Sequence, residues 1–165
     1  MKQQIELAEL RGFFFADGTV SLHKRRLRNK YVRKDGTKRK EEWNYTFVVR
    51  IHIAQRIDNL PLLKEFQKKY GGLIYIQRPP KKEIHQSKPA AYWSIQSIQG
   101  CADLLKELLK TSFTYRSIDA VIACKEFCDW KLAKGLQVKY NDNDRKKVEG
   151  WIKRVRTAHS FQVIK

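Results

Sequence analysis

Cysteine is scarce in this sequence, and the usual marks of a secreted or membrane protein are missing. The 165 residues include three cysteines, and no histidine spacing completes a zinc-binding pattern around them. No apolar run approaches the length of a membrane span, and the amino terminus, MKQQIELAEL, lacks the apolar core and cleavage site of a secretory signal. We therefore expect an intracellular protein in a reducing compartment, with core thiols at Cys101, Cys124 and Cys128.

Acidic residues are also scarce. The chain has 17 Asp and Glu residues against 35 Lys and Arg residues, which gives a net charge of +18. Such an excess repels itself in the folded state, so it indicates a polyanionic partner, and nucleic acid is the first candidate. An anionic membrane surface is the rival partner, but no strongly amphipathic helix of low polarity is present to bind it, and we expect no membrane partner.

The basic residues are clustered rather than spread evenly. In residues 24–40, KRRLRNKYVRKDGTKRK, ten of the seventeen residues are Lys or Arg. The pair Asp35-Gly36 predicts a turn inside this run. Since the run joins two segments that resemble strands, we expect a long basic hairpin that projects from a sheet, a shape that fits a DNA groove.

Hydrophobic periodicity predicts one α+β domain over residues 1–165. Helices are predicted at 5–16, 99–110, 115–131 and 144–157, and strands at 19–25, 45–55, 73–77 and 91–97. One further helix begins near Asp58 or Asn59, either of which could cap it, carries Pro61 in its first turn and ends at Gly71-Gly72. The order is α-β-β-α-β-β-α with one antiparallel sheet, followed by a basic helical extension at about 131–165.

Alternation along the strands separates inward from outward side chains. Phe47, Val49, Ile51 and Ile53 are predicted to face the core. Arg and Gln on the other face suit bidentate contacts to purine edges. The residues predicted to contact DNA, on the outward strand faces and the hairpin, are Ser21, His23, Arg25, Arg28, Arg33, Arg50, His52, Tyr75, Gln77, Tyr92 and Gln96.

The most specific motif is LRGFFFADG at residues 10–18. It resembles the signature nonapeptide of the LAGLIDADG homing endonucleases, which lies on a helix leading into the first strand of the sheet. Arg11 departs from this motif, and so does Phe15, where the family usually has a second acidic residue. The resemblance covers about residues 5–130. The identical residues are Leu10, Gly12, Ala16, Asp17 and Gly18, and the two apolar positions between them are kept by Phe13 and Phe14.

The resemblance implies a saddle-shaped antiparallel sheet and a site-specific DNA endonuclease that hydrolyses phosphodiester bonds with Mg²⁺. Proteins of this family with a single motif and this length act as homodimers, in which two motif helices pack together and bring two catalytic carboxylates to the centre. A two-fold dimer reads a long pseudo-palindromic target, because the symmetry of the protein is mirrored in its half-sites. The expected location is the cytoplasm or the organelle matrix that contains the host genome.

Elementary physics supports this interpretation of the motif helix. Gly12 and Ala16 lie one turn apart, so one helix face is nearly bare backbone and a second helix can approach closely. Asp17 lies at the carboxyl end of the helix, beside the left-handed cap expected of Gly18, where the helix dipole disfavours a carboxylate. A divalent cation bound by the Asp17 carboxylate and the Ala16 carbonyl would resolve this conflict.

Two further residues are assigned to catalysis by the resemblance. Gln55, at the end of the second strand, resembles the family residue that orients water near the scissile phosphate, although a DNA contact without catalytic weight is nearly as good an interpretation. The family also places a basic residue near the phosphate. In this chain that residue is Arg116, or failing it Lys110.

Three other functions compete with cleavage. The first is a non-cleaving descendant of the same scaffold, an RNA maturase that binds its host intron RNA. The second is a basic RNA-binding or ribosome-associated module, whose solvent-facing aromatic residues would be Tyr75 and Tyr92. The third is another nuclease class, but no cluster of His, Asn and His and no acidic pair with a following Lys on a strand is present.

Overall fold

The computed structural model describes residues 7–27, 44–77, 89–110 and 118–160. The order of elements is the predicted one, with a 3-10 turn, Ile57–Asn59, before the second helix. The elements are α1 (Leu7–Asp17), β1 (Gly18–Leu27), β2 (Asn44–Arg56), α2 (Leu60–Tyr70), β3 (Leu73–Gln77), β4 (Ala90–Ile95), α3 (Ile98–Leu108), α4 (Ile118–Lys134) and α5 (Asp142–His159).

The strands form the single antiparallel sheet that the sequence predicts. Its order is β1-β2-β4-β3, so that β2 and β4 are central and β1 and β3 are edges. Val20 lies opposite Ile51, and Ile53 lies opposite Trp93. Of the predicted basic hairpin, residues 28–40 lie outside the described residues. Its base is the β1–β2 pair, which ends with Leu27 opposite Asn44.

One face of the sheet forms the core. The alternation predicted for β2 is confirmed, because Phe47, Val49, Ile51 and Ile53 are all buried. The opposite face carries the polar side chains and has no buried hydrophobic residue among those described. Because successive side chains of a strand point to opposite faces, the face that does not form the core can contact a partner.

Helix α2 has the first turn, the buried residues and the end that the sequence predicts, but not a side-chain cap from Asn59. Pro61 lies in its first turn, and Leu63 and Phe66 are buried as predicted. Gly71 ends the helix at φ 78°, a left-handed conformation that glycine adopts at little cost. Of the two predicted caps, Asn59 directly precedes the helix but its side chain makes no capping hydrogen bond.

The junction between α1 and β1 differs from the expectation. Gly18 was expected to adopt a left-handed cap, and this is wrong, because Gly18 begins β1 without a positive φ. Glycine is required there for a close approach. A Cβ at Gly18 would lie 2.4 Å from the carbonyl oxygen of Phe14 and 2.5 Å from its ring. The chain can therefore pass from helix to strand without a loop only if this position has no side chain.

The last helix closes the sheet edge. Buried residues of α5, including Trp151 and Val155, belong to the same core cluster as the sheet. The imidazole Nε2 of His159 lies 2.8 Å from the Val20 carbonyl oxygen, and Lys24 lies 3.8 Å from Glu149. Helix α5 thus covers part of an otherwise exposed edge strand. None of the helices in the described ranges is long and apolar enough to cross a membrane.

The cysteines are buried and free, as predicted. Burial raises the pKa of the Cys128 thiol to about 12, and it also raises the pKa of Cys101 and Cys124. A thiol that stays protonated is a poor nucleophile and a poor metal ligand. These residues therefore fill the core around α4.

Candidate active site and nucleic-acid interface

Helix α1 has one buried side and one open side. Phe14 and Phe15 are 2% and 8% exposed, whereas Gly12, Ala16 and Asp17 are exposed. A Cβ added at Gly12 would meet no atom within 4 Å. The face that carries the two small residues is therefore accessible backbone, which a second helix could approach.

The two departures from the motif are both core residues. Arg11 is only 6% exposed, and its Nε and Nη2 atoms donate hydrogen bonds of 3.1 and 2.7 Å to the backbone carbonyl of Glu107. This guanidinium caps the carboxyl end of α3, where a cation is favoured. Phe15 packs edge-on against Phe14 at a centroid distance of 5.7 Å. Neither residue belongs to the polar site beside Asp17.

Two of the three residues predicted to be catalytic, Asp17 and Gln55, meet at the end of α1. The Gln55 Nε2 atom donates to the Asp17 Oδ2 atom over 2.6 Å. The sheet register produces this contact. Gly18 lies opposite Ile53 in the antiparallel pair, so the residue before Gly18 comes close to the residues that follow Ile53.

A third polar residue extends this pair. The Asn59 Nδ2 atom donates to the Gln55 Oε1 atom over 2.8 Å. Asn59, Gln55 and Asp17 therefore form one chain of hydrogen bonds that ends on an exposed carboxylate. The sequence alone predicts Asn59 only as a helix cap. Its position four residues after Gln55, across a short turn, was the available signal.

The oxygen atoms at this helix end are of the kind that Mg²⁺ prefers. Asp17 supplies a carboxylate, and the last carbonyl groups of a helix, including that of Ala16, lack partners within the helix. Within the described ranges, no three His, Cys, Asp or Glu residues are grouped closely enough to hold a metal. One chain therefore offers a partial set of ligands, which fits a divalent ion if further oxygen atoms come from DNA, water or a second chain.

On the outward face of the sheet, one arginine is held in place from two sides. The Arg50 Nε atom donates to the Ser94 Oγ atom over 3.1 Å, and its Nη2 atom donates to the Tyr75 hydroxyl over 2.9 Å. The Tyr75 ring stacks on Tyr92, with centroids 5.1 Å apart and planes inclined by 8°. Arg50 on β2 is thus held by residues of β3 and β4. The sequence does not predict Ser94 as part of this surface, although it lies two residues after Tyr92 on β4 and so points to the same face.

His52 lies on the same face and has an unpaired polar atom. Its Nδ1 atom is buried and has no hydrogen-bond partner in the described part of the chain. Burial, together with the nearby positive charge of Arg50, lowers the pKa of His52 below its ordinary value. The imidazole is therefore mostly neutral at pH 7, and a buried unpaired nitrogen is costly until a ligand pairs with it.

The predicted interface residues largely share this face. Gln96 is exposed, but its prediction as a strand residue is wrong, because β4 ends at Ile95 and Ser97 already caps α3. Arg28, Arg33 and Arg116 lie outside the described residues, and Lys110 is exposed just before the gap at 111–117. The residues placed by the register on the outward face are Ser21, His23, Arg25, Arg50, His52, Tyr75, Gln77 and Tyr92.

Comparison with known proteins gives structural matches alone. No protein-family model and no curated protein matches the sequence. The homing endonuclease I-TnaI is similar with a TM-score of 0.63 at 11% identity, over 96% of this chain and 90% of that one. I-CvuI, solved with a DNA target in the presence of Mg, is similar with a TM-score of 0.60 at 15% identity, over 96% and 85%.

A second group of similar structures is about twice as long. The LAGLIDADG homing endonuclease I-GzeII, solved in complex with its DNA target, has a TM-score of 0.60 at 14% identity, and the match covers 92% of this chain but 44% of I-GzeII. The chain therefore spans most of I-TnaI and less than half of I-GzeII. From these similarities and the element order, the chain has the α+β fold of the LAGLIDADG homing endonucleases.

Proposed function

We propose that this chain is a LAGLIDADG homing endonuclease that makes a metal-dependent double-strand break at a long pseudo-palindromic DNA site. The hydrogen bond of 2.6 Å between Gln55 and Asp17 carries the proposal. It unites the carboxylate of the motif with the one strand-end residue that the family resemblance assigns to catalysis. The carboxylate is exposed and the amide is partly exposed.

Double-stranded DNA is the proposed partner. The net charge of +18 favours a polyanion, and the outward face offers the Arg50 guanidinium as a donor to DNA. Arg50 is already ordered by Ser94 and Tyr75, so less side-chain entropy is lost when it binds a base. I-CvuI and I-GzeII are both solved in complex with DNA targets, which supports the same partner here.

Asp17 and the backbone carbonyl of Ala16 are the proposed ligands of Mg²⁺. When bound between carboxylates and the scissile phosphate, the ion would neutralise charge and activate water. The residues of the chain then have separate roles. Gln55 positions the Asp17 carboxylate and presents its amide to water near the phosphate, and Arg116 supplies positive charge beside that phosphate.

A homodimer is the proposed active form. One chain has one Asp17, and cutting both strands in the proposed way takes two such carboxylates. The open face of α1 at Gly12 and Ala16 is the proposed contact between the subunits. The match to less than half of I-GzeII supports this arrangement, since a second copy would supply the remaining length.

The test is cleavage of a plasmid that carries the flanks of the open reading frame joined without it. We expect the parent to cut this plasmid in Mg²⁺ and not in a chelator, and Asp17→Asn to bind it with equal or higher affinity but not cut it. Asp103→Asn, the same charge change on an exposed position of α3, is the control and should cut like the parent.

Equal cleavage by Asp17→Asn and the parent would overturn the proposed site. Binding of DNA or host intron RNA by the parent, without cleavage in any divalent ion, would favour the alternative of a maturase or a nucleic-acid-binding protein on the same scaffold.

A further inference from the structure

Asn59 directly precedes helix α2, but its side chain bonds to Gln55 and not to the backbone of the helix. In this structure Ser97 accepts a hydrogen bond from the Gly100 amide at the start of α3, and Asn141 accepts one of 2.8 Å from the Asp144 amide at the start of α5. Asn59 directly precedes α2 but is also the last residue of the 3-10 turn Ile57–Asn59, with φ −94° and ψ 16° instead of the extended backbone of Ser97 and Asn141. Its side chain makes no capping hydrogen bond and bonds to Gln55 instead.

The hydrogen bonds of Asn59 have a direction. Its Nδ2 group donates to Gln55 Oε1, and the Nε2 group of Gln55 donates to Asp17. An ionised carboxylate only accepts, so the opposite orientation of the Gln55 amide would place two acceptors together at the Asp17 end. The Asn59 amide can offer either a donor or an acceptor, so the Asp17 carboxylate selects the orientation of the Gln55 amide and Asn59 restrains its Oε1 end.

The terminal torsion of a glutamine side chain is broad when nothing restrains it. Gln55 is only partly buried, and packing alone does not fix its amide. The second hydrogen bond, from Asn59, holds the end of the amide that Asp17 does not contact. A short chain of aligned donors and acceptors also polarises each member.

We propose that Asn59 is a positioning residue of the candidate site, which fixes the Gln55 amide so that its N–H group faces Asp17. This inference rests on the proposed function for its effect on cleavage, but the orientation itself can be measured without DNA. Asn59 acts through Gln55 and is not assigned any contact with the substrate.

The experiment uses two equivalent substitutions. Ser caps helices as well as Asn does, but its hydroxyl is too short to reach Gln55 from position 59. Asn59→Ser should therefore lower the single-turnover cleavage rate constant on the joined-flank plasmid by about tenfold, which is the loss of one hydrogen bond of about 1.4 kcal/mol. DNA affinity and the thermal midpoint of unfolding should stay the same. Asn141→Ser, the same change at the N-cap of α5, should leave all three quantities unchanged.

A second readout separates this inference from the proposed function. In nuclear magnetic resonance spectra of the protein alone, the Gln55 side-chain amide protons should exchange with water faster in Asn59→Ser than in the parent or Asn141→Ser. If the Gln55 signals and the cleavage rate of Asn59→Ser equal those of the parent, Asn59 has no positioning role. If the parent does not cleave at all, the proposed function fails, and the amide signals still decide whether Asn59 orients Gln55.

Discussion

Arg11 shows how a departure from a motif can stabilise the helix that carries the motif. Its guanidinium lies under α1 and binds the carbonyl of Glu107 at the end of α3. The Glu107 carboxylate in turn accepts hydrogen bonds from the Tyr70 hydroxyl and from Lys69 Nζ, the latter over 2.9 Å. These four residues join α1, α2 and α3. The position of Asp17 relative to the sheet therefore depends on polar contacts at the far side of its helix.

Arg11→Met tests this anchor. The thioether fills part of the space but donates no hydrogen bond, so the buried Glu107 carbonyl loses both of its side-chain donors. We expect a loss of about 2 kcal/mol in the free energy of unfolding, the cost typical of hydrogen bonds that involve a charged group. Arg145→Met, on an exposed position of α5, should change it by no more than about 0.5 kcal/mol. Urea unfolding of the three proteins gives both values, and equal stability of Arg11→Met and the parent would contradict the anchoring role.

Glu107 makes this network sensitive to pH. Burial acts to raise its pKa, but the hydrogen bonds from Tyr70 and Lys69 outweigh burial and lower the pKa of Glu107 below 4.5. A carboxyl whose pKa is lower in the folded state stabilises the fold above the unfolded pKa, and this stabilisation is lost as the pH falls through the folded value. We expect the parent to lose stability more steeply than Glu107→Gln below about pH 4.5. If the free energy of unfolding falls equally steeply with pH in the parent and in Glu107→Gln between pH 6 and 3, the Glu107 carboxylate does not contribute to stability.

Arg50 is the side chain on the sheet face that is best ordered for reading a base. Arg50→Lys keeps the charge but loses the planar fork. We expect discrimination at one base pair of each half-site to fall by about tenfold, while affinity for unrelated DNA stays the same. Arg156→Lys, on the exposed face of α5, is the control, and Tyr75→Phe should reproduce part of the effect because only the hydroxyl that holds Arg50 is lost. Cleavage or binding profiles on a library of single-base target variants measure this, and an unchanged profile for Arg50→Lys would exclude a base contact.

At the scale of elements, periodicity in the sequence predicts most of the architecture. The two-residue alternation of β2 identifies the buried face, and Pro61 and Gly71-Gly72 mark the ends of α2. The strands β1 and β2 extend beyond the predicted bounds, because a hydrogen-bonded ladder continues through residues whose side chains are exposed. Gly18 and Asn59 are both predicted as caps, and the structure shows other roles for one shared reason. Each contacts a residue four positions earlier, Phe14 and Gln55 respectively, and capping preferences alone do not include such a contact.

Helix α1 offers a sharp test of the dimer because the chain contains a matched glycine. Gly12 in α1 and Gly150 in α5 are both exposed, and a Cβ on either would meet nothing within 4 Å. In an isolated chain, a larger residue at either position should be tolerated, and Ala should even stabilise the helix by about 1 kcal/mol. If two α1 helices pack together, Gly12→Leu holds them apart, whereas Gly150→Leu does not.

We therefore expect the parent and Gly150→Leu to sediment as dimers at micromolar concentration, and Gly12→Leu to sediment as a folded monomer. The monomer should also lose double-strand cleavage, because each subunit brings one Asp17. If the parent is monomeric both free and on DNA, the symmetric proposal is wrong. If Gly12→Leu stays dimeric, the subunits meet elsewhere.

At the scale of the whole molecule, two groups of basic residues can be compared. One is the basic segment that lies between β1 and β2 in the sequence. The other is the outer face of α5, where Arg145, Lys146, Lys153 and Arg156 are exposed. Helix α5 packs on α4 and reaches the edge strand β1 from the core side of the sheet. We expect the first group to contact DNA with the outward sheet face and the second to lie away from it, so the two should contribute differently to DNA binding although both are basic.

Two sets of substitutions that remove equal charge test this difference. The first replaces Arg28, Lys30, Arg33 and Lys34 with Gln, and the second makes the same change at Arg145, Lys146, Lys153 and Arg156. Each lost phosphate contact should reduce the slope of log affinity against log salt by about 0.9, because fewer counterions are released. We expect the first set to flatten the slope by up to about 3.6 and to weaken binding to every sequence, and the second set to leave the slope nearly unchanged. Equal losses from both sets would mean that the charge acts as a diffuse attraction without a defined DNA-binding face, and a flat plot for the parent would remove DNA as the partner.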